Sequence, residues 1–196
     1  MTKRRLAIIV IACVLLGGGL TLGFQWFTSG GVLISTAPPA AFGAAPPPSV
    51  ARSTLGLPNG DLTPGAINPA ANQDNLEATV CKPGWAKSVR PPSAYTSALK
   101  VVQILEYGYA DRNPRHYQED HLVPLELGGA PRDHRNLWPE PNTVTLADGS
   151  VIGIAEKDAL EDSLNSQVCA GTMLLADAQR SIARDWIAAW EVAGRP

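Results

Sequence analysis

Charge divides this chain into two unequal parts. The first 70 of its 196 residues carry only five charged side chains: Lys3, Arg4, Arg5, Arg52 and Asp61. The other 126 hold 12 Lys and Arg against 17 Asp and Glu, a net of −5. A globular surface needs charged and polar cover, so the fold is expected in the later part. The chain as a whole stands at −2, which excludes a uniformly basic nucleic-acid coat protein. Any contact with nucleic acid must be local.

Lys3, Arg4 and Arg5 precede an uncharged run over residues 6–27. As a helix, at about 1.5 Å per residue, that run spans roughly 33 Å, enough for a bilayer core. The basic flank lies before the run and not after it, which orients the N-terminus to the cytoplasm. Residues 1–27 are therefore a signal peptide or a transmembrane anchor. The length favours the anchor, and the small residues after Leu16 leave cleavage open. A third reading, lipidation at Cys13, is weakened by the apolar run continuing past it. The expected location is the cell membrane, single-pass with an extracytoplasmic C-terminal domain, or secretion if the signal is cleaved. Residues 28–70 are rich in Pro, Ala, Gly and Ser and read as an extended spacer. Residues 71–196 form the expected domain.

With Cys13 set aside, Cys81 and Cys169 remain. Outside the cytoplasm such a pair is expected to be bridged, two separately buried thiols being the alternative. No Cys-x-x-Cys pair occurs, which argues against a zinc ribbon or a thioredoxin-like redox site.

The domain reads as α+β. A short helix is expected over 72–80. Another starts with Ser93 as N-cap, runs to Tyr107 and stops at Gly108, with Leu99, Val102 and Leu105 at helical spacing. Residues 116–122 read as a strand and Leu137-Trp138 as a brief extended piece. Residues 155–168 read as a helix with Ala159, Leu160 and Leu164 inward. Residues 175–192 read as one helix whose stripe of Ala178, Ile182, Trp186 and Trp190 or Ala189 is core packing. Trp85 and Trp138 are also expected in the core.

The informative segment runs from Tyr117 to Pro141. Glu119-Asp120 is followed at once by His121, then by the Gly128-Gly129 turn, then by Asn136-Leu137-Trp138. Asp offers a hard oxygen ligand suited to Mg²⁺. Histidine, with an unperturbed pKa near 6.5, accepts a proton from water near neutral pH. Asparagine can lend a carbonyl oxygen to a metal or brace a loop. A cation and a base side by side can drive phosphodiester hydrolysis. One geometric tension stands against this. Neighbours in a regular strand point to opposite faces, so Asp120 and His121 share a site only if the strand ends or bulges there.

This pattern resembles the HNH nucleases, a family with a ββα-metal fold. The match is Asp120-His121, Gly128-Gly129 and Asn136-Leu137, with fourteen residues between His121 and Asn136. It covers about 25 residues. The flanks, Cys81-Lys82-Pro83-Gly84-Trp85 and Lys157-Asp158, look like those of exported bacterial proteins carrying the same core. The resemblance implies an HNH-like core embedded in helices. It makes His121 the general base, Asp120 a metal ligand, and Asn136 a ligand or a brace. The family's closing His has no counterpart: Thr145 stands in its place and no His follows His134. An insertion around Ala147-Asp148-Gly149 displaces the expected helix to Ala155 onward. Asp158 or Glu161 can supply the missing ligand, and Lys157 can contact phosphate. Mg²⁺ is the expected cofactor, with Mn²⁺ or Zn²⁺ as alternatives.

Residues 82–135 hold 8 basic against 6 acidic side chains, whereas residues 136–196 hold 4 against 9. Arg112, Arg115, Arg132 and Arg135 surround the motif. Of these, Arg132 and Arg135 are expected on the substrate, while His116 and His134 are expected at the surface. Two functions follow. One is an exported or membrane-tethered, metal-dependent endonuclease acting on DNA or RNA. The other is a non-catalytic envelope protein that binds or builds on an HNH-like scaffold. Nothing in the sequence points to a protein partner.

Overall fold

Residues 56–196 are described by the structure, a computed structural model. The expected anchor, Cys13 and the spacer up to residue 55 lie outside the described residues. Among the described residues no helix is long and apolar enough to cross a membrane.

The domain is mixed α+β. Residues 73–78, expected as a helix, form a 3₁₀ segment, Gln73–Ala78, capped by Asn72. Helix α1 spans Trp85–Val89 and helix α2 spans Ser93–Glu106. Gly108 ends α2 with a φ of +67°, as its position suggested. The buried face of α2 is not the expected one. Leu99, Gln103 and Ile104 are buried, while Val102 and Leu105 are exposed. The reason is the Gln103 amide, which donates to Leu137 O at 2.9 Å and so takes a core place that apolar periodicity assigns to a hydrophobe.

Strands β1 (Tyr117–His121) and β2 (Leu137–Pro141) pair antiparallel, from Tyr117 opposite Pro141 to His121 opposite Leu137. Pro139 and Pro141 are tolerated because they share the outward-facing register of Leu137. The Leu137 carbonyl is taken by Gln103 and Thr63 rather than by β1, and the missing proline N–H groups lie on that same edge. A hairpin of β3 (Thr143–Thr145) and β4 (Val151–Gly153) follows, turning on Gly149. It occupies the stretch around Ala147-Asp148-Gly149, where an insertion is expected.

Helix α3 (Ile154–Cys169) starts at once, the Glu156 carboxylate accepting from Gly153 N at 2.7 Å. It buries Lys157, Leu160, Leu164 and Val168. Residues 175–192 form two helices, α4 (Leu175–Arg184) and α5 (Trp186–Val192). Asp185 breaks them with extended backbone and caps α5 by accepting from Ala188 N at 2.9 Å. The stripe of Ala178, Ile182, Trp186 and Trp190 is buried as expected and packs against α3. A second cluster between α2 and the β1–β2 ribbon holds Ile104, Tyr107, Tyr109, Tyr117, Leu122 and Trp138. Trp85 packs half-buried at the edge of the first cluster.

Cys81 and Cys169 are bridged, with Cα atoms 5.5 Å apart. Residues 56–70, read above as spacer, belong to the domain. Gly65 N and Ala66 N donate to Arg135 O, Ala130 N donates to Ala66 O, and Trp186 Nε1 donates to Gly56 O at 2.8 Å. Backbone hydrogen bonds hold this segment, and composition does not register them.

Candidate active site

The loop between β1 and β2 is built around two side chains. Asn136 is fully buried. Its Oδ1 accepts from Val123 N at 2.9 Å, and its Nδ2 donates to Val123 O at 2.9 Å and Ala130 O at 3.1 Å. The amide is thus a brace, and its oxygen is turned to backbone rather than offered as a ligand. Gly129 passes so close beneath that a Cβ there would collide with the Val123 carbonyl and the Asn136 amide. Gly128 supplies the preceding turn with a φ of +76°. The Gly-Gly and Asn positions of the motif are therefore one loop-closing device.

That device sets His121. The ring is nearly buried, and its Nε2 lies 3.0 Å from Pro131 O, one residue beyond the Ala130 carbonyl that Asn136 holds. A carbonyl only accepts, so Nε2 carries the hydrogen and Nδ1 keeps its lone pair. Among the described residues Nδ1 has no hydrogen-bond partner. Burial holds the imidazole pKa below its ordinary value, aided by Arg90 and Lys157 and opposed by Pro131 O and Asp120. The ring is a neutral base in a fixed tautomer.

Asp120 goes the other way. Strand β1 keeps regular register through His121, with no bulge, so the adjacent side chains diverge. The Asp120 carboxylate meets Lys157 Nζ at 2.5 Å. The same ammonium pairs with Glu161 one turn on and donates to His121 O at 3.1 Å. Glu140 of β2 lies within hydrogen-bond reach of Asp120. Burial resists ionisation of Asp120, and Lys157 overcomes it, leaving the carboxyl below its usual value. Burial drives Glu140 well above the usual range, so it stands as a neutral acid beside the Asp120 carboxylate. Burial also raises Glu161, to about 8. Lys157 is 1 % exposed and its pKa is raised, its carboxylate neighbours outweighing burial.

These positions correct several expectations. Lys157 does not reach phosphate, because its ammonium is buried between α3 and the β1–β2 ribbon. Asn136 stands apart from the expected ligands, whereas Asp120 and Glu161 are brought together by an ammonium. Asp158 is exposed on α3, in the electrostatic company of Asp120, Asp162 and Arg90. Arg135 is forked onto Asp133 at 3.1 and 2.7 Å. Arg132 lies over the Tyr95 ring, directly after the Pro131 that holds His121. His116 is exposed and paired with Asp111 at 2.5 Å, and His134 is exposed.

Two residues of the site escaped the sequence reading. Glu140 was signalled only by being a charge between two prolines in an otherwise buried strand. Arg90, exposed and close enough to act on His121, Glu126 and Asp158, carried no signal.

A resident divalent cation does not fit this donor set. It would need the Asp120 carboxylate, and that group is already closed on Lys157 together with Glu161. Asn136 is spent on backbone. Among the described residues no three His, Cys, Asp or Glu side chains are grouped to hold a metal ion. Set against protein-family models, curated proteins and solved structures, the chain matches none.

Proposed function

We propose that this protein is an exported or membrane-tethered endonuclease with an HNH-like ββα core, hydrolysing phosphodiester bonds of nucleic acid. One observation carries the reading. His121 is a neutral imidazole whose Nε2–H is fixed on Pro131 O by the Asn136-braced loop, leaving Nδ1 as the base. The arrangement of β1, braced loop, β2 and α3, with a hairpin inserted before the helix, supports the same reading. In the proposed step water attacks phosphorus and gives its proton to Nδ1. The bond to the leaving oxygen breaks, and that oxygen recovers a proton from solvent. Arg90 and Arg132 are the cations placed to meet the phosphate. The Cys81–Cys169 bridge suits an extracytoplasmic compartment.

The second reading, a non-catalytic scaffold, is favoured by one observation: the carboxylates nearest the motif are neutralised internally by Lys157. Nicking of supercoiled plasmid and cleavage of single-stranded RNA separate the two. Purified domain is incubated with Mg²⁺, Mn²⁺, Zn²⁺ or chelator, beside His121→Ala with a thermal melt as folding control. Proton transfer by a positioned side chain is worth about 10²–10⁴-fold, and His121→Ala is expected to lose that much without losing its fold. A wild type inert under every condition, or a His121→Ala that cuts equally well, returns the scaffold reading.

A further inference from the structure

We propose that Lys157 is a built-in cation, an ammonium that fills the buried acidic socket on the face of β1 opposite the His121 ring, where a divalent ion would otherwise bind. The inference goes beyond the nuclease reading, and its test does not depend on activity.

The geometry is that of a cation socket filled from within. Lys157 rises from the first turns of α3 and is almost fully buried. Its three N–H groups have three acceptors on two elements: the Asp120 carboxylate and the His121 backbone carbonyl of β1, and Glu161 of α3. A fourth group, the Glu140 carboxyl of β2, closes the socket against Asp120. One of its oxygens, Oε1, is buried without a hydrogen-bond partner. Lys, Asp and Glu are rarely buried unless paired, and unpaired burial of either sign is strongly unfavourable. The acids and the ammonium therefore require one another. The bond to His121 O ties the ammonium to the strand backbone at 3.1 Å.

If the ammonium fills the socket, removing it must leave carboxylates seeking a cation. The test is Mn²⁺ binding, by calorimetry and by Mn²⁺ spin resonance, to the wild type, Lys157→Met and Lys157→Met/Asp120→Asn. Wild type is expected to bind no ion at the socket and to keep its melting temperature in Mn²⁺. Lys157→Met, which keeps the volume of the stem, is expected to melt lower in chelator. It should gain one Mn²⁺ and recover melting temperature with it, and the added Asp120→Asn should abolish that gain. Stoichiometric Mn²⁺ on wild type that is lost in Asp120→Asn overturns the proposal. So does a folded Lys157→Met that takes up no ion. If Lys157→Met fails to fold even in Mn²⁺, the wild-type arm still decides. An inert wild type in every buffer sinks the nuclease reading while leaving the binding result standing.

Discussion

Asn136 makes three hydrogen bonds with one amide, and each holds a backbone group that water cannot reach. Asn136→Ala strands Val123 N, Val123 O and Ala130 O together. At roughly 1–3 kcal/mol for each stranded group, partly relieved by relaxation, the expected loss is about 3–5 kcal/mol. Chemical denaturation measures it, and excess divalent cation should not restore it, as it would for a lost ligand. Glu119, on β1, presents the opposite problem. Both its carboxyl oxygens are buried without a hydrogen bond, and the nearby Lys100 Nζ donates instead to Tyr117 O at 2.9 Å. Burial, then the charge of Asp120, raises its pKa from 4.5 to about 8. A carboxyl with a raised native pKa binds its proton more tightly when folded. Its favourable share of stability is fully present below pH 4.5 and is lost as pH rises to about 8. Melting temperature should therefore fall across that window, and Glu119→Gln should flatten the fall. A wild-type profile that rises from pH 5 to 8 would contradict the assignment.

At the scale of elements, what the sequence made legible was local and what it hid was contact between distant segments. Gly108 ended α2 as read, and the Gly128-Gly129 turn closed where the glycines stood, because φ and steric clearance are properties of a few neighbouring residues. The inward face of α2 was not legible. Gln103 is buried only because β2, thirty-four residues away, offers it the Leu137 carbonyl. Lys157 was read as a phosphate contact for the same reason: only the β1–β2 register and the placement of α3 bring Asp120 and Glu140 to it. The break between α4 and α5 is an instructive case. The stripe of Ala178, Ile182, Trp186 and Trp190 keeps a four-residue spacing through Asp185, so apolar periodicity reports one helix where there are two. Asp185 decides otherwise, since a short acidic side chain caps a new first turn. Asp185→Ala should lower stability by about 1 kcal/mol, and Asp185→Ser should recover most of it. Equilibrium urea unfolding of the three proteins checks this. An alanine variant as stable as wild type would mean that the cap contributes nothing and packing alone sets the break.

At the scale of the whole domain, the long helix α3 has to be held at both ends. Its N-terminal turns are fixed by Lys157 on the β1–β2 ribbon and its last residue, Cys169, is tied to Cys81. Between them Asn165 Nδ2 donates to Glu126 O at 2.7 Å and to Val80 O at 3.2 Å, so α3 also clamps the motif loop against the segment that carries Cys81. The bridge spans 88 positions of sequence, most of the folded chain. Closing a loop of that length restricts the unfolded chain far more than the native one, which amounts to about 4–5 kcal/mol before any strain is subtracted. For a domain of this size each kcal/mol moves the melting temperature by about 2–4 °C, so reduction, or the paired change Cys81→Ala with Cys169→Ala, should lower it by roughly 10–15 °C. The native contacts of Asn165 and Lys157 survive that change, and the reduced domain should keep its native circular dichroism below the new midpoint. The effect should also be larger on the denatured side than on the native side. Folding should slow in the cysteine-free protein if the two ends of the loop meet in the transition state, and unfolding should quicken if they meet after it. A melting temperature indifferent to reductant would show that the two segments are already held together when the rest of the chain is unfolded, and the entropy argument for the bridge would fail.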